Sequence, residues 1–435
     1  MKIILSSRKH HYLAIFSTCL ITLALIAGTV SCSCSDGNGG DGDVMEIHDW
    51  DELYAIRNKP LGSYVLVEDL DASKDGYKEW VGEMPNGKGW QPIGADGNFF
   101  EGTFDGGDHT ISDLFIDRPS EDNVGLFGYV LGGEIKNIKL VAVNVTGKEN
   151  VGGVVGHNRG TLEYSSSTGI VKGTSYVGGL AGYTWEGTVH HSESQATVLS
   201  QSRAAGGLVG YNSLGAEILF SEYKGESVQG ETEVGGLVGL NNGRVAWSNQ
   251  VSTACIVTGA GYIVGGLVGL NGGVVEQSTQ FGSACGKGKT GGLVGSNGLT
   301  GDVIDCHNKG DVDGNCSGAG TLGLNWGTLS RPLSADATPD GFYVGGLVGW
   351  NEGMVSNSNS TGSVTGVTDV GGLLGANWGN VTGCNSSGKV SGDSNVGRLV
   401  GYNYDTGIGL YTGKHYRRLL CWHCRTGRFR WRSEQ

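Results

Sequence analysis

The phrase V-G-G-L-V-G-x-N, plainest at Val234 to Asn241 and Val344 to Asn351, recurs whole or worn from Gly128 to near the end of this 435-residue chain. Marking each copy by its last glycine gives Gly128, Gly156, Gly182, Gly210, Gly239, Gly269, Gly295, Gly323, Gly349, Gly375 and Gly401, in steps of 26 to 30 residues. Such a period is the signature of a solenoid, in which one coil cannot bury its apolar side without its neighbours. Each unit reads as three short strands. From Gly345 these are G-G-L-V-G, G-M-V-S-N-S and G-S-V-T-G, separated by glycine or polar corners. The unit is too short for a propeller blade of roughly 40 to 45 residues, and it lacks the 3.6-residue period of paired helices. The expected fold is all-β: a right-handed parallel β-helix of about eleven coils behind an N-terminal capping segment.

Two columns fix the register. Two residues after the marker glycine stand Asn158, Asn212, Asn241, Asn271, Asn297, Asn325, Asn351, Asn377 and Asn403, and only Val130 and Thr184 interrupt them. Coils stack about 4.8 Å apart, so identical amides can hydrogen-bond up a ladder, and Asn also tolerates the left-handed turn that a corner needs. The pattern G-x-V-x-x-S gives a second column, Ser165, Ser192, Ser221, Ser248, Ser278 and Ser358, with Cys306 and Cys384 replacing Ser. A small residue at a fixed place in every coil reads as a packing position rather than a reactive one.

These repeats, G-G-L-V-G-x-N followed by G-x-V-x-x-[SC], resemble the GLUG-motif repeat of bacterial and archaeal surface proteins. The segments I-H-D-W-D-E-L-Y-A-I-R-N, W-Q-P-I-G near Trp90 and F-E-G-T-F-D-G-G-D-H-T-I from Phe100 are similar to the lead-in such proteins carry. The resemblance covers about residues 46 to 407. It implies an adhesin-like surface protein, or a non-catalytic module of the kind found beside IgA-cleaving metallopeptidases, and it supplies no catalytic motif.

Along the chain, residues 1–31 read as a secretory signal, with a basic start at Lys2, Arg8 and Lys9 and an apolar run from Tyr12 to Val30. The following T-V-S-C resembles a lipoprotein box and makes Cys32 the candidate for a lipid anchor. Residues 32–45 read as a flexible acidic tether and 46–122 as the cap and first coils. In that segment Trp50 to Arg57 should form an amphipathic helix over the solenoid end, Tyr64 to Val67 the first strand, and Asp71 to Lys88 a surface loop. The repeat solenoid occupies 123–407. Residues 408–435 break its grammar with seven Lys or Arg against one Glu after Leu410, and with Cys421, His423 and Cys424. Permissible codons from Lys414 to Thr426, read one base later, can spell N-I-T-G-D-S-Y-V-G-I-A-G-L, a fresh repeat; a frame shift near 414 is the expected cause.

The 81 glycines follow no collagen-like period and sit at repeat corners, and the net charge of −13 argues against a nucleic-acid partner. Cys255, Cys285, Cys306, Cys316 and Cys384 are too scattered for a disulfide framework. No zinc spacing, phosphate loop or nucleophile elbow is present, so no cofactor or metal is implied. An acidic coil at Asp302, Asp305, His307, Lys309, Asp311 and Asp313 is where a glycan lyase or glycosidase reading would have to place its carboxylates. The ligand candidates are aromatic: Tyr129, His157, Tyr183 and Tyr211 on successive coils, Trp350 and Tyr402 later in that column, and Trp326 and Trp378 after the ladder Asn. If outward, these rings would receive sugars. The expected function is a non-enzymatic, exported surface or secreted solenoid that binds extracellular glycan or surface protein, or spaces out a further domain.

Overall fold

The computed structural model describes residues 44–404, apart from 83–86, 96, 253–255, 261, 311, 314–316 and 335–340. The expected signal, Cys32 and the basic tail lie outside the described residues, as do Cys255, Cys316 and Asp311. What is described is a parallel β-solenoid of about 10 turns.

The lead-in is already part of the sheet. Strand β1 (Val44–Ile47) pairs in parallel with β2 (Ser63–Leu66), β2 with β3 (Thr103–Asp105), and β3 with the first marker strand, Phe127–Lys136. Among the described residues the ladder begins at Val44, inside the segment expected to be tether. A strand's edge bonds come from its partner, here Ser63 opposite Val44, so the Gly- and Asp-rich run before it hides the start. Helix α1 (Trp50–Ala55) forms where expected: Asp49 caps it by accepting the Glu52 N–H at 2.8 Å, and Trp50, Leu53 and Ile56 are wholly buried. The stretch from Asp71 is more than a loop. It holds a short helix, α2 (Tyr77–Trp80), pinned because Trp80 stacks on Tyr54 with ring centroids 3.6 Å apart.

A coil has up to five short strands where the sequence suggested three, and in some coils neighbouring strands run together, as in Ser166–Gly178 and Lys289–Asn297. In one coil they are Phe342–Gly345, Val348–Asn351, Met354–Ser356, Asn359–Ser360 and Val364–Thr365, each paired in parallel with its counterpart in the next coil. The phrase V-G-G-L-V is itself a corner. A Cβ on its first glycine, as at Gly235 or Gly371, would collide with the carbonyl oxygen three residues on, so only glycine lets the chain fold back this closely. Inside, Val234, Leu237, Val238 and Val245 of one coil sit under Val264, Leu267, Val268 and Val275 of the next, all wholly buried. Each such side chain contributes about 1.5–3 kcal/mol.

The serine column explains a second corner. The residue before it has positive φ throughout, at Tyr164, His191, Phe220, Trp247, Gln277, Asp305, Asn357 and Gly383, and so do Asn137 and Arg331, which precede Ile138 and Pro332 at the same place in their coils. At this bend the Ser165, Ser192, Ser221 and Ser248 N–H groups donate to the serine Oγ of the following coil at 3.1–3.2 Å. Each of those hydroxyls donates in turn to the carbonyl two residues back, at 2.8–2.9 Å. Serine thus supplies the acceptor that a bent backbone cannot. Cys306 and Cys384 substitute with longer thiol contacts to Ile304 and Thr382, at 3.3 and 3.2 Å, and burial pushes the Cys306 thiol up to about 12. Among the described residues Cys285 and Cys306 are free thiols, the first half-buried and the second buried.

The asparagine ladder is continuous from Asn212 through Asn241, Asn271, Asn297, Asn325, Asn351 and Asn377 to Asn403, each Nδ2 donating to the next Oδ1 at 2.7–2.9 Å. The ladder residues are not in the left-handed region expected for them; they end strands, and the left-handed corners are the columns before Ser and before V-G-G. Thr184 stands in register between Asn158 and Asn212 and cannot donate as an amide does, so its Oγ1 and the Asn212 Oδ1 are buried without a hydrogen bond. Thr184→Asn should close this gap and stabilise the solenoid by about 1–3 kcal/mol, the usual cost of an orphaned buried polar group. A urea-unfolding midpoint equal to or below the wild type would contradict the ladder's role.

Candidate functional site

The first aromatic column is a stack. Ring centroids run Phe99–Tyr129 4.2 Å, Tyr129–His157 4.2 Å, His157–Tyr183 4.6 Å and Tyr183–Tyr211 4.9 Å, with Tyr176 leaning on Tyr211 at 5.5 Å. Coils in register place each ring over the last, so the faces cover one another. His157 is only 8% exposed and the three tyrosines are half-buried. Its Nε2 has no partner, and burial, then the Arg159 charge, pulls the imidazole down to about 4. Within this column the rings contact one another, and the half-buried tyrosines leave less surface open than an outward platform for sugar rings would offer.

Farther along, Trp350 stacks on Trp378 at 4.7 Å, and Trp378 lies 5.9 Å from both Tyr404 and Tyr402. Trp378, expected to be exposed, is therefore half-buried between its neighbours, as is Trp350. Trp326 is exposed at 38%, with the Lys289 Nζ 5.0 Å from its ring centre.

A second ladder lies on the serine corner, one residue before the column that the repeat pattern marks. Tyr164, His191, Phe220 and Trp247 stand there on four successive coils, with centroids 5.0, 5.1 and 5.0 Å apart and planes inclined by 20°, 16° and 5°. Tyr164, Phe220 and Trp247 are 54%, 48% and 38% exposed, more open than the rings from Tyr129 to Tyr211. The pairs Tyr164-Ser165, His191-Ser192, Phe220-Ser221 and Trp247-Ser248 carry the signal in plain sight. Beside them His190 Nε2 meets Glu163 Oε2 at 3.0 Å, and Arg244 bridges Glu217 at 3.5 Å and Glu276 at 2.6 Å while lying 5.1 Å from the Trp247 ring centre.

In the acidic coil, Asp305 occupies the same left-handed column and its carboxylate holds Arg331 at 2.8 Å; Asp302 starts a strand in register with Val274 and Thr328. Among the described residues no group of three or more His, Cys, Asp or Glu is placed to hold a metal ion.

With this geometry in view, residues 340–365 match the model of the GLUG motif. That coil is a GLUG repeat. Its strands continue in register into the coils on either side. The chain is also similar to halomucin of Haloquadratum walsbyi, 39% identical over 178 residues, which are 39% of this chain and 2% of that protein. A protein of Evansella cellulosilytica provisionally described as a Gly-rich membrane protein is 34% identical over 105 residues, 23% of this chain and 11% of its own. The chain thus spans a small part of the length of either relative. A crystal structure of a Bacteroides ovatus protein, provisionally described as an immunoglobulin A1 protease, aligns over 64% of this chain and 79% of its own at 20% identity and a TM-score of 0.45.

Proposed function

We propose that this GLUG-repeat solenoid is an exported, cell-surface or secreted protein that binds an extracellular ligand without catalysing its breakdown. The observation that carries this reading is the row of exposed aromatic rings outside a body whose interior is already occupied by apolar, Asn and Ser columns. Exposed rings in register along several coils do nothing for the core, and contiguous apolar surface of this kind commonly marks a site of interaction. The signal-like start favours export, and Cys32 would hold the chain at a membrane if lipidated. The names of halomucin and of the Gly-rich membrane protein are in keeping with a surface location.

The test is to incubate the full secreted chain with a panel of polysaccharides and matrix proteins, scoring binding and cleavage together. Retention of at least one panel member, with the ligand unchanged in size, is the expected result. Cleavage would overturn the reading and direct attention to Asp302 and Asp305. Localisation is checked by surface protease shaving of intact source cells; a chain found only inside the cell would sink the export claim.

A further inference from the structure

We infer that the serine-corner ladder, Tyr164, His191, Phe220 and Trp247, is a binding track for an uncharged glycan chain laid along the solenoid axis. The inference rests on the surface-solenoid reading and adds to it the site and the ligand class.

Folding explains the bend at this corner but not the aromatic rings placed on it. All four side chains stand on left-handed backbone, with φ of 47°, 50°, 50° and 49°. Bulky L-residues are rare there, and strain of this kind gathers at functional positions. Other coils fill the same column with Asn137, Asp305, Asn357 or Gly383, residues that suit the conformation, and with Gln277 or Arg331, so what sets these four coils apart is an unbroken run of aromatic rings. Four adjacent coils therefore accept both a poor backbone fit and exposed aromatic surface.

Shape narrows the ligand. The track is one ring wide and three steps long, each step about the coil spacing. A stable protein interface needs roughly 800 Å² per partner around a dry centre, which a single line of rings does not offer. An extended polymer fits a line. The rings stack face on face within the ladder, so it is their exposed outer edges that can pack against the C–H surfaces of pyranose rings, each contact weak and the sum growing with chain length.

Charge narrows it further. The strand following the ladder presents Ser166, Glu193, Glu222 and Asn249 in register, one per coil. These are acceptors for hydroxyl donors. Lys224 is already committed to Glu193 and Glu222. Carboxylates outnumber cations on this face, so an anionic polymer is repelled where a neutral one can hydrogen-bond.

The experiment is affinity electrophoresis of the full chain in gels containing xylan, mannan or a mixed-linkage β-glucan, with heparin as the anionic control. The wild type should be retarded by at least one neutral polymer. Phe220→Asn with Trp247→Asn should weaken that retardation tenfold or more while the melting temperature holds or rises, since Asn suits the corner. Phe220→Tyr, which keeps the ring, should retain binding. Undiminished binding by the double Asn variant would overturn the site and leave the surface function standing. Retardation by heparin alone would overturn the ligand class. Silence on these gels beside binding to a matrix protein would do the same, and silence toward every ligand would overturn both readings.

Discussion

Asn271→Leu should destabilise the solenoid by about 2–5 kcal/mol, on the basis of one to three for each buried polar group left without a partner. Asn271 accepts from Asn241 Nδ2 at 2.7 Å and donates to Asn297 Oδ1 at 2.8 Å, and all three residues are wholly buried. Leucine would leave the Asn297 carbonyl unpaired and strip the Asn241 amide to its weaker contacts with Gly243 and Val274, each 3.3 Å. The substituted side chain also loses its own bond to the Gly273 carbonyl at 3.1 Å, part of what shapes the turn. Chains of amides polarise one another, so an interior rung should matter more than one pair suggests. Asn403 supplies the contrast. It is half-buried and among the described residues accepts from Asn377 alone, so water can replace what Asn403→Leu removes, and the loss should stay within about 1 kcal/mol. Because long repeat arrays need not unfold in one step, amide hydrogen exchange across residues 238–304 is the better readout. Equal loss of protection around both substitutions would mean that the ladder is ornamental.

How much of this was visible beforehand depends on which force sets each feature. The solenoid and its Asn column were legible because identical residues must stack at one spacing, and Asn212 through Asn403 do so. The corner count was not. A left-handed bend is normally announced by Gly, Asn or Asp, yet here Tyr164, Phe220, Trp247 and Arg331 occupy it. The bend is imposed by the coils above and below and, at Tyr164, Phe220 and Trp247, by the serine acceptor of the following coil, neither of which is local in sequence. The first strand was hidden for a related reason: Val44 has no strand signal of its own until Ser63 supplies its partner. The facing of Tyr129, Tyr183 and Tyr211 likewise followed from stacking between coils, which the spacing of apolar neighbours could not fix. The serine-corner rings, by contrast, needed only one more residue of attention at each repeat.

The stability of the solenoid should fall as pH drops from about 6.5 to about 4, and His157 should account for about 3 kcal/mol of that fall, since each tenfold change in proton affinity is worth about 1.36 kcal/mol. The sign follows from the two protonation states. In the unfolded chain the imidazole takes a proton near 6.5; in the folded one, burial and then the neighbouring Arg159 charge hold it off until about 4. Between those values the unfolded chain binds more protons, so stability is fully present above the unfolded value and lost on the way down to the folded one. Other groups titrate in the same window, so the informative quantity is a difference between proteins. His157→Phe keeps a ring between Tyr129 and Tyr183 and removes the unpartnered Nε2. Its advantage over the wild type should be modest at pH 7.5, widen through pH 5 and level off near pH 4. Parallel stability curves for the two proteins across that range would show that His157 takes up its proton freely, and so that the stack around it opens to water.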